Sequence, residues 1–127
     1  MENESIGRSK EDYLEAILVQ INSSGACRSS DVAARLGFSK PSASIALKKL
    51  EDEGYIKKED SRILLTEKGR GIAQKTYDKH SFFKKWLTTA GIEECVAEKE
   101  ACQMEHIISE DSFNKITEYL KHLDNRF

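Results

Sequence analysis

The feature that most constrains the fold is the order of segments packed between residues 9 and 65. Ser9 reads as a helix N-cap, and Leu14, Ile17, Leu18 and Ile21 give the following segment, to about Asn22, an apolar stripe at helical spacing. Ser23-Ser24-Gly25 stops it. On that helix Asp12 stands at N3, where an acid completes a capping box and favours the helix dipole. Ser29-Ser30-Asp31 opens a short helix, Val32 to Leu36, closed by Gly37. Ser39 caps a third, with Lys40-Pro41 in its first turn, where proline sacrifices no hydrogen bond. It runs to about Glu53, stops at Gly54, and should bury Ala43, Ile45, Ala46 and Leu50. Tyr55–Lys58 and Arg62–Leu65 then read as two strands around a turn at Glu59-Asp60-Ser61. Residues 1–8 read as a loose tail.

Helix, helix, helix and hairpin, with a tight Gly37-Phe38-Ser39 turn between the second and third helices, is the order of a winged helix-turn-helix. That predicts a DNA reader. The formal net charge of −2 gives no global nucleic-acid signal, but residues 26–70 carry ten Lys/Arg against seven acids. Ser39, Lys40, Ser42 and Ser44 are expected to meet bases and phosphates from the front of the third helix. Lys48 and Lys49 are expected at the DNA backbone, and Lys57, Lys58 and Arg62 at phosphates from the wing. With no Arg, Asn or Gln early in that helix, specificity should lean on serine contacts and DNA shape.

The second half reads as wholly helical, making the chain mainly α. Residues 1–70 are expected to form the winged DNA-binding domain and 71–127 a helical metal-binding and dimerisation domain. Thr66 caps a long helix reaching about Ala90; Gly69 and Gly71 weaken its start. Its apolar positions include Ile72, Tyr77, Phe82, Phe83, Trp86 and Leu87. A helix from about Glu93 to Ile108 follows, and Ser109 caps another with Phe113, Ile116, Tyr119, Leu120 and Leu123 on one face. So short a chain cannot hide all these aromatics, so part of its surface should be a subunit interface. A two-fold homodimer also suits two DNA half-sites roughly 34 Å apart.

Within this second half, Cys102, Glu105 and His106 stand at i, i+3 and i+4 and so share a helix face. A thiol, a carboxylate and an imidazole within one turn are metal ligands of mixed softness. Asp12 and Glu15 on the first helix and His80 on the long helix are further candidates. An ion holding residues from both halves would control DNA binding by favouring one relative orientation.

Glu11-Asp12-Tyr13-Leu14-Glu15-Ala16-Ile17, the winged module, and Glu100-Ala101-Cys102-Gln103-Met104-Glu105-His106 together resemble the diphtheria toxin repressor family. Its members are metal-dependent transcriptional repressors, and the likeness runs from about Ser9 to Asp124. The short length is similar to the manganese-transport-regulator branch, which lacks the C-terminal SH3-like domain of longer members. The resemblance implies Asp12, Glu15, His80, Cys102, Glu105 and His106 as metal ligands. In the manganese branch a glutamate stands where this chain has Cys102. The iron-responsive branch has cysteine there, but methionine in place of Asp12. Glu98 and Lys84 occupy places that the iron branch gives to a histidine and a glutamate of an ancillary site.

The oxygen donors suit Mn(II), whereas a thiolate shifts preference toward Fe(II), and toward Zn(II), Co(II) or Ni(II) in vitro. The expected cofactor is therefore Fe(II) or Mn(II), with Fe(II) favoured by Cys102, at one or two ions per subunit. The expected function is repression of metal-uptake genes by an operator-binding dimer, without enzymatic activity. No phosphate loop, nucleophile motif or His-Glu-x-x-His run is present. No apolar run reaches membrane-span length and Met1-Glu2-Asn3-Glu4 is no signal peptide, so a cytoplasmic protein with reduced cysteines is expected. Cys27 and Cys95 read as small, semi-buried thiols, and no small organic ligand is expected. The alternative is a winged-helix regulator of the multiple-antibiotic-resistance type, sensing a small molecule or an oxidant through Cys102.

Overall fold

The computed structural model describes residues 7–123, which fall into two compact units, one ending at Tyr77 and the other beginning at Asp78. The elements are α1 (Arg8–Ser24), α2 (Ser29–Leu36), α3 (Lys40–Asp52), β1 (Ile56–Glu59), β2 (Arg62–Leu65), α4 (Glu67–Thr89), α5 (Glu94–Ile107) and α6 (Glu110–Leu123). Helix α4 runs through the boundary between the units.

In the first unit, α1 starts earlier than Ser9 capping would allow. Gly7, at φ 105°, is the N-cap, and no side chain caps the helix. The Glu11 amide donates to the Gly7 carbonyl at 3.1 Å, placing Ser9 inside the first turn and removing the expected Ser9–Asp12 capping box. Residues 1–6 of the expected tail lie outside the described residues. Helix α2 takes in Ser29 and Ser30 because Asp31 reaches back, its Oδ2 accepting from the Arg28 amide at 2.9 Å. Helix α3 begins as its sequence predicts, with Ser39 Oγ accepting from the Ser42 amide at 3.2 Å.

The strands pair antiparallel with Ile56 opposite Leu65 and Glu59 opposite Arg62. The first strand is thus one residue later than expected, since Tyr55 is spent in the turn out of α3. The connecting residues Asp60 and Ser61 both take left-handed φ, 52° and 68°, as the two-residue hairpin turn matching strand twist requires. The other edge of β2 is also used: the Ile63 amide donates to the Cys27 carbonyl at 2.8 Å.

One core serves this unit. Leu14, Ile17 and Leu18 of α1, Val32 of α2, Ala43, Leu47 and Leu50 of α3, Ile56 and Ile63 of the hairpin and Ala73 of α4 are all buried within it. Ile45 is not among them. It is 73% exposed, and Leu47 takes the buried place expected of it. A stripe through Ala43, Leu47 and Leu50 follows the 3.6-residue repeat, which puts position 45 about half a turn away from it.

Thr66 holds the hairpin to α4. Its hydroxyl donates to the Gly54 carbonyl at 2.7 Å and accepts from the Gly69 amide at 3.1 Å, capping the helix. Gly69, which weakens a helix by propensity, is needed here for space. A Cβ at that position would stand 2.0 Å from the Tyr55 carbonyl oxygen.

The second unit contains the end of α4 with α5 and α6. Phe83 is buried, with its ring centroid 5.3 Å from that of Phe82 and 5.8 Å from that of Phe113. The buried stripe of α5 is Ala97, Ala101 and Glu105. Ser109 Oγ accepts from the Ser112 amide at 3.0 Å and so caps α6 as predicted. Helix α6 buries no residue completely, and Tyr119 and Leu123 stay 63% and 62% exposed. Cys95 is exposed rather than semi-buried, because the α5 stripe passes through Ala97 and Ala101 and leaves it outside.

Candidate metal centre and nucleic-acid face

The centre of the second unit's polar chemistry is Glu105. It occupies the third place in the α5 buried stripe, after two alanines, and its side chain is 0% exposed. A carboxylate so placed requires cations or donors around it, because burying an unpaired charge costs far more than burying a polar group. Two imidazoles meet it. His80 of α4 brings Nδ1 to 2.8 Å from Glu105 Oε1, and His106 brings Nε2 to 3.1 Å from Glu105 Oε2. One donor atom each from Cys102, Glu105 and His106 lie within 4.8 Å of one another. Helical spacing accounts for this: positions 102, 105 and 106 share a face, and α4 brings His80 to it.

These donors suit a divalent cation. Neutral imidazole, carboxylate and thiolate are all competent ligands, and the carboxylate is already shielded from water. His80 and His106 are themselves largely buried, so they are held in place rather than sampling solvent.

A partner that spacing did not reveal is Glu98. Its Oε2 lies 3.0 Å from His80 Nε2, so the ring is held between Glu98 and Glu105. Lys84 Nζ in turn lies 3.1 Å from Glu98 Oε1 and 3.3 Å from Glu94 Oε2. The signal was available as two matched i, i+4 pairs, His80/Lys84 on α4 and Glu94/Glu98 on α5. Burial alone would push the Glu98 carboxyl up, but the Lys84 hydrogen bond and the nearby His80 together hold it below its ordinary range. Hydrogen bonds to Glu98 and Glu94 hold the Lys84 ammonium above its own. The two residues at the places of the ancillary-site histidine and glutamate therefore pair with each other.

Asp12 and Glu15 belong to the first unit. They flank the buried stripe of α1, both half-buried and one helical turn apart. Arg8 Nε stands 4.0 Å from Asp12 Oδ2, a long contact on an exposed side chain that adds little stability.

The expected DNA-contacting residues are all solvent-exposed: Ser39, Lys40, Ser42, Ser44, Lys48 and Lys49 on or capping α3, and Lys57, Lys58 and Arg62 on the hairpin. Four have intramolecular partners on the surface, Lys57 among them with its Nζ 4.0 Å from Glu59 Oε2. Lys48 Nζ lies 3.2 Å from Asp52 Oδ1, and Ser39 and Ser42 share a 3.0 Å hydroxyl hydrogen bond. Exposed pairs of this kind separate at small cost, leaving the groups available to phosphates.

Family models cover both halves. Residues 5–64 match the iron dependent repressor N-terminal DNA binding domain, and residues 66–126 match the iron dependent repressor metal binding and dimerisation domain. The chain is 34% identical over 105 residues to the transcriptional regulator MntR of Escherichia coli O6:H1, a match covering 82% of this chain and 68% of that protein. It is 35% identical over 119 residues to an HTH-type transcriptional regulator of Methanocaldococcus jannaschii, covering 91% and 95% respectively. Among solved structures, a manganese-dependent transcriptional repressor complex with manganese superposes with a TM-score of 0.78 at 25% identity, covering 88% of this chain and 52% of that one. The small-molecule-sensing alternative is not favoured by these matches. The chain belongs to the diphtheria toxin repressor family, the iron-dependent repressors, and is a metal-dependent transcriptional repressor of the manganese-regulator-like kind.

Proposed function

We propose that this repressor answers to Fe(II) or Mn(II), held by Asp12, Glu15, His80, Cys102, Glu105 and His106, and that metal binding favours a homodimer competent for operator DNA. The observation that carries this reading is the buried Glu105 carboxylate with an imidazole at each oxygen and Cys102 one turn away. In this reading residues 1–70 read DNA and 71–127 hold the metal and the second subunit. When bound, the ion supplies a divalent charge that lets several carboxylates share one site. Asp12 and Glu15 project from the helix that carries the winged module's core, so constraining them constrains the module.

Cys102 decides the choice of ion. As a thiolate it favours Fe(II) over Mn(II), while Asp12, Glu15 and Glu105 supply the hard oxygens Mn(II) prefers. One ion is accounted for by Asp12, Cys102, Glu105 and His106, and a second by Glu15 and His80 sharing Glu105. The genes under control would be those of metal uptake, in the cytoplasm, where thiols stay reduced. No helix among the described residues is long and apolar enough to cross a membrane. The site has no catalytic role in this reading.

Calorimetric titration of metal-free protein with Mn(II), and anaerobically with Fe(II), tests it. Saturable binding at one or two ions per subunit is expected, with Cys102→Glu shifting the ranking toward Mn(II). An unchanged ranking would remove Cys102 from its role, and no binding of either ion would remove the reading.

A further inference from the structure

Of the described residues, Ile45 is the most exposed large apolar side chain in the first unit, at 73%. Phe38, at 50%, has an internal reason to be aromatic, since its ring lies 5.8 Å from that of Tyr13. Ile45 stands in the middle of α3's outward face. Ala43, Leu47 and Leu50 define the buried stripe, and the helical repeat puts position 45 about opposite it. Pro41 lies one turn before it on the same exposed face, and Lys48 and Lys49 flank it one turn after. A β-branched residue at a solvated helix position also gives up a little helix propensity compared with alanine. Its solvation and its branching both count against it in the free protein.

In duplex DNA the major groove admits a helix, and its base edges offer hydrogen-bond donors and acceptors plus one apolar feature, the thymine 5-methyl group. A side chain with neither donor nor acceptor reads only that feature. The flanking lysines supply the positive charge that holds such a face against phosphates. We propose that Ile45 is a specificity-determining residue of α3 that reads a thymine methyl in the major groove. This rests on α3 being the DNA-reading helix. It adds an apolar base contact to the polar ones expected of the serines around it.

The test uses the full-length, Mn(II)-loaded protein. Duplexes are selected from random-sequence DNA, and each thymine of a selected duplex is then replaced singly by uracil, which removes only the methyl. Wild type should lose about three- to fivefold in affinity at one thymine per half-site. Ile45→Ser should bind thymine and uracil equally there, and Ile45→Val should keep the discrimination. Because position 45 is exposed, the melting temperature of Ile45→Ser should match wild type, confirming an intact fold. Undiminished binding at every uracil-substituted position, or the same loss in Ile45→Ser, overturns the assignment while leaving α3 as a DNA-binding helix. Failure to select any sequence overturns both.

Discussion

The two units solve the problem of a small core differently. The first, up to Tyr77, closes on itself: three helices, a hairpin and the start of α4 bury one continuous apolar cluster. The second, from Asp78, does not. Its best-buried positions are Phe83, two alanines and a glutamate, and its last helix leaves Tyr119 and Leu123 largely in water. A unit with a buried carboxylate and an open apolar face gains stability from what it binds, so its folding, metal affinity and dimerisation are linked.

That difference can be attacked at four points. The largest effect is expected at Glu105. Glu105→Gln keeps the shape and removes the charge, and should weaken Mn(II) binding in calorimetry by more than the roughly 10–100-fold typical of a residue that only orients a ligand. Retained affinity would show that the second unit is not built around an ion. Next is Gly69→Ala in the first unit. Its Cβ would collide with the Tyr55 carbonyl, which backbone cannot easily relieve, so a loss of about 3 kcal/mol in urea unfolding is expected, with or without metal. A neutral result would mean the hairpin-to-α4 joint is looser than described.

The third point is the open face of α6. Replacing Tyr119 and Leu123 together by aspartate should move the sedimenting species from dimer toward monomer and leave first-unit stability unchanged. A persistent dimer would place the subunit interface elsewhere. The smallest effect concerns thiols. Burial first, and then Asp31, push the Cys27 thiol up to about 11, against the opposing influence of Arg35. A pKa raised in the folded state gives stability that is complete below the unfolded value near 9 and is lost as pH climbs toward 11. Cys27→Ser should flatten that alkaline decline. Cys95, exposed, should react with an alkylating agent in the native protein while Cys27 waits for unfolding.

In both units the sequence was legible where short-range devices set the structure. Caps such as Ser39 and Ser109, and the stripe of α1, are local devices, and local devices are visible in spacing. Ile45 was misplaced because an isoleucine on a helix is read as core unless a better-phased neighbour, here Leu47, claims the position. Gly69 was read as a weakness because the carbonyl that needs its missing Cβ comes from fourteen residues upstream. At the metal centre, Cys102, Glu105 and His106 announced themselves by helical spacing. The grip of Glu98 on His80 did not, since it joins two helices rather than two turns of one.

The central claim is that DNA binding depends on a metal. It is tested most directly by measuring affinity for a selected operator duplex with Fe(II) or Mn(II) present, and again after chelation and dialysis. Tight, saturable binding with the ion and weak, salt-sensitive binding without it is the predicted result. Equal affinity in both conditions would contradict the account.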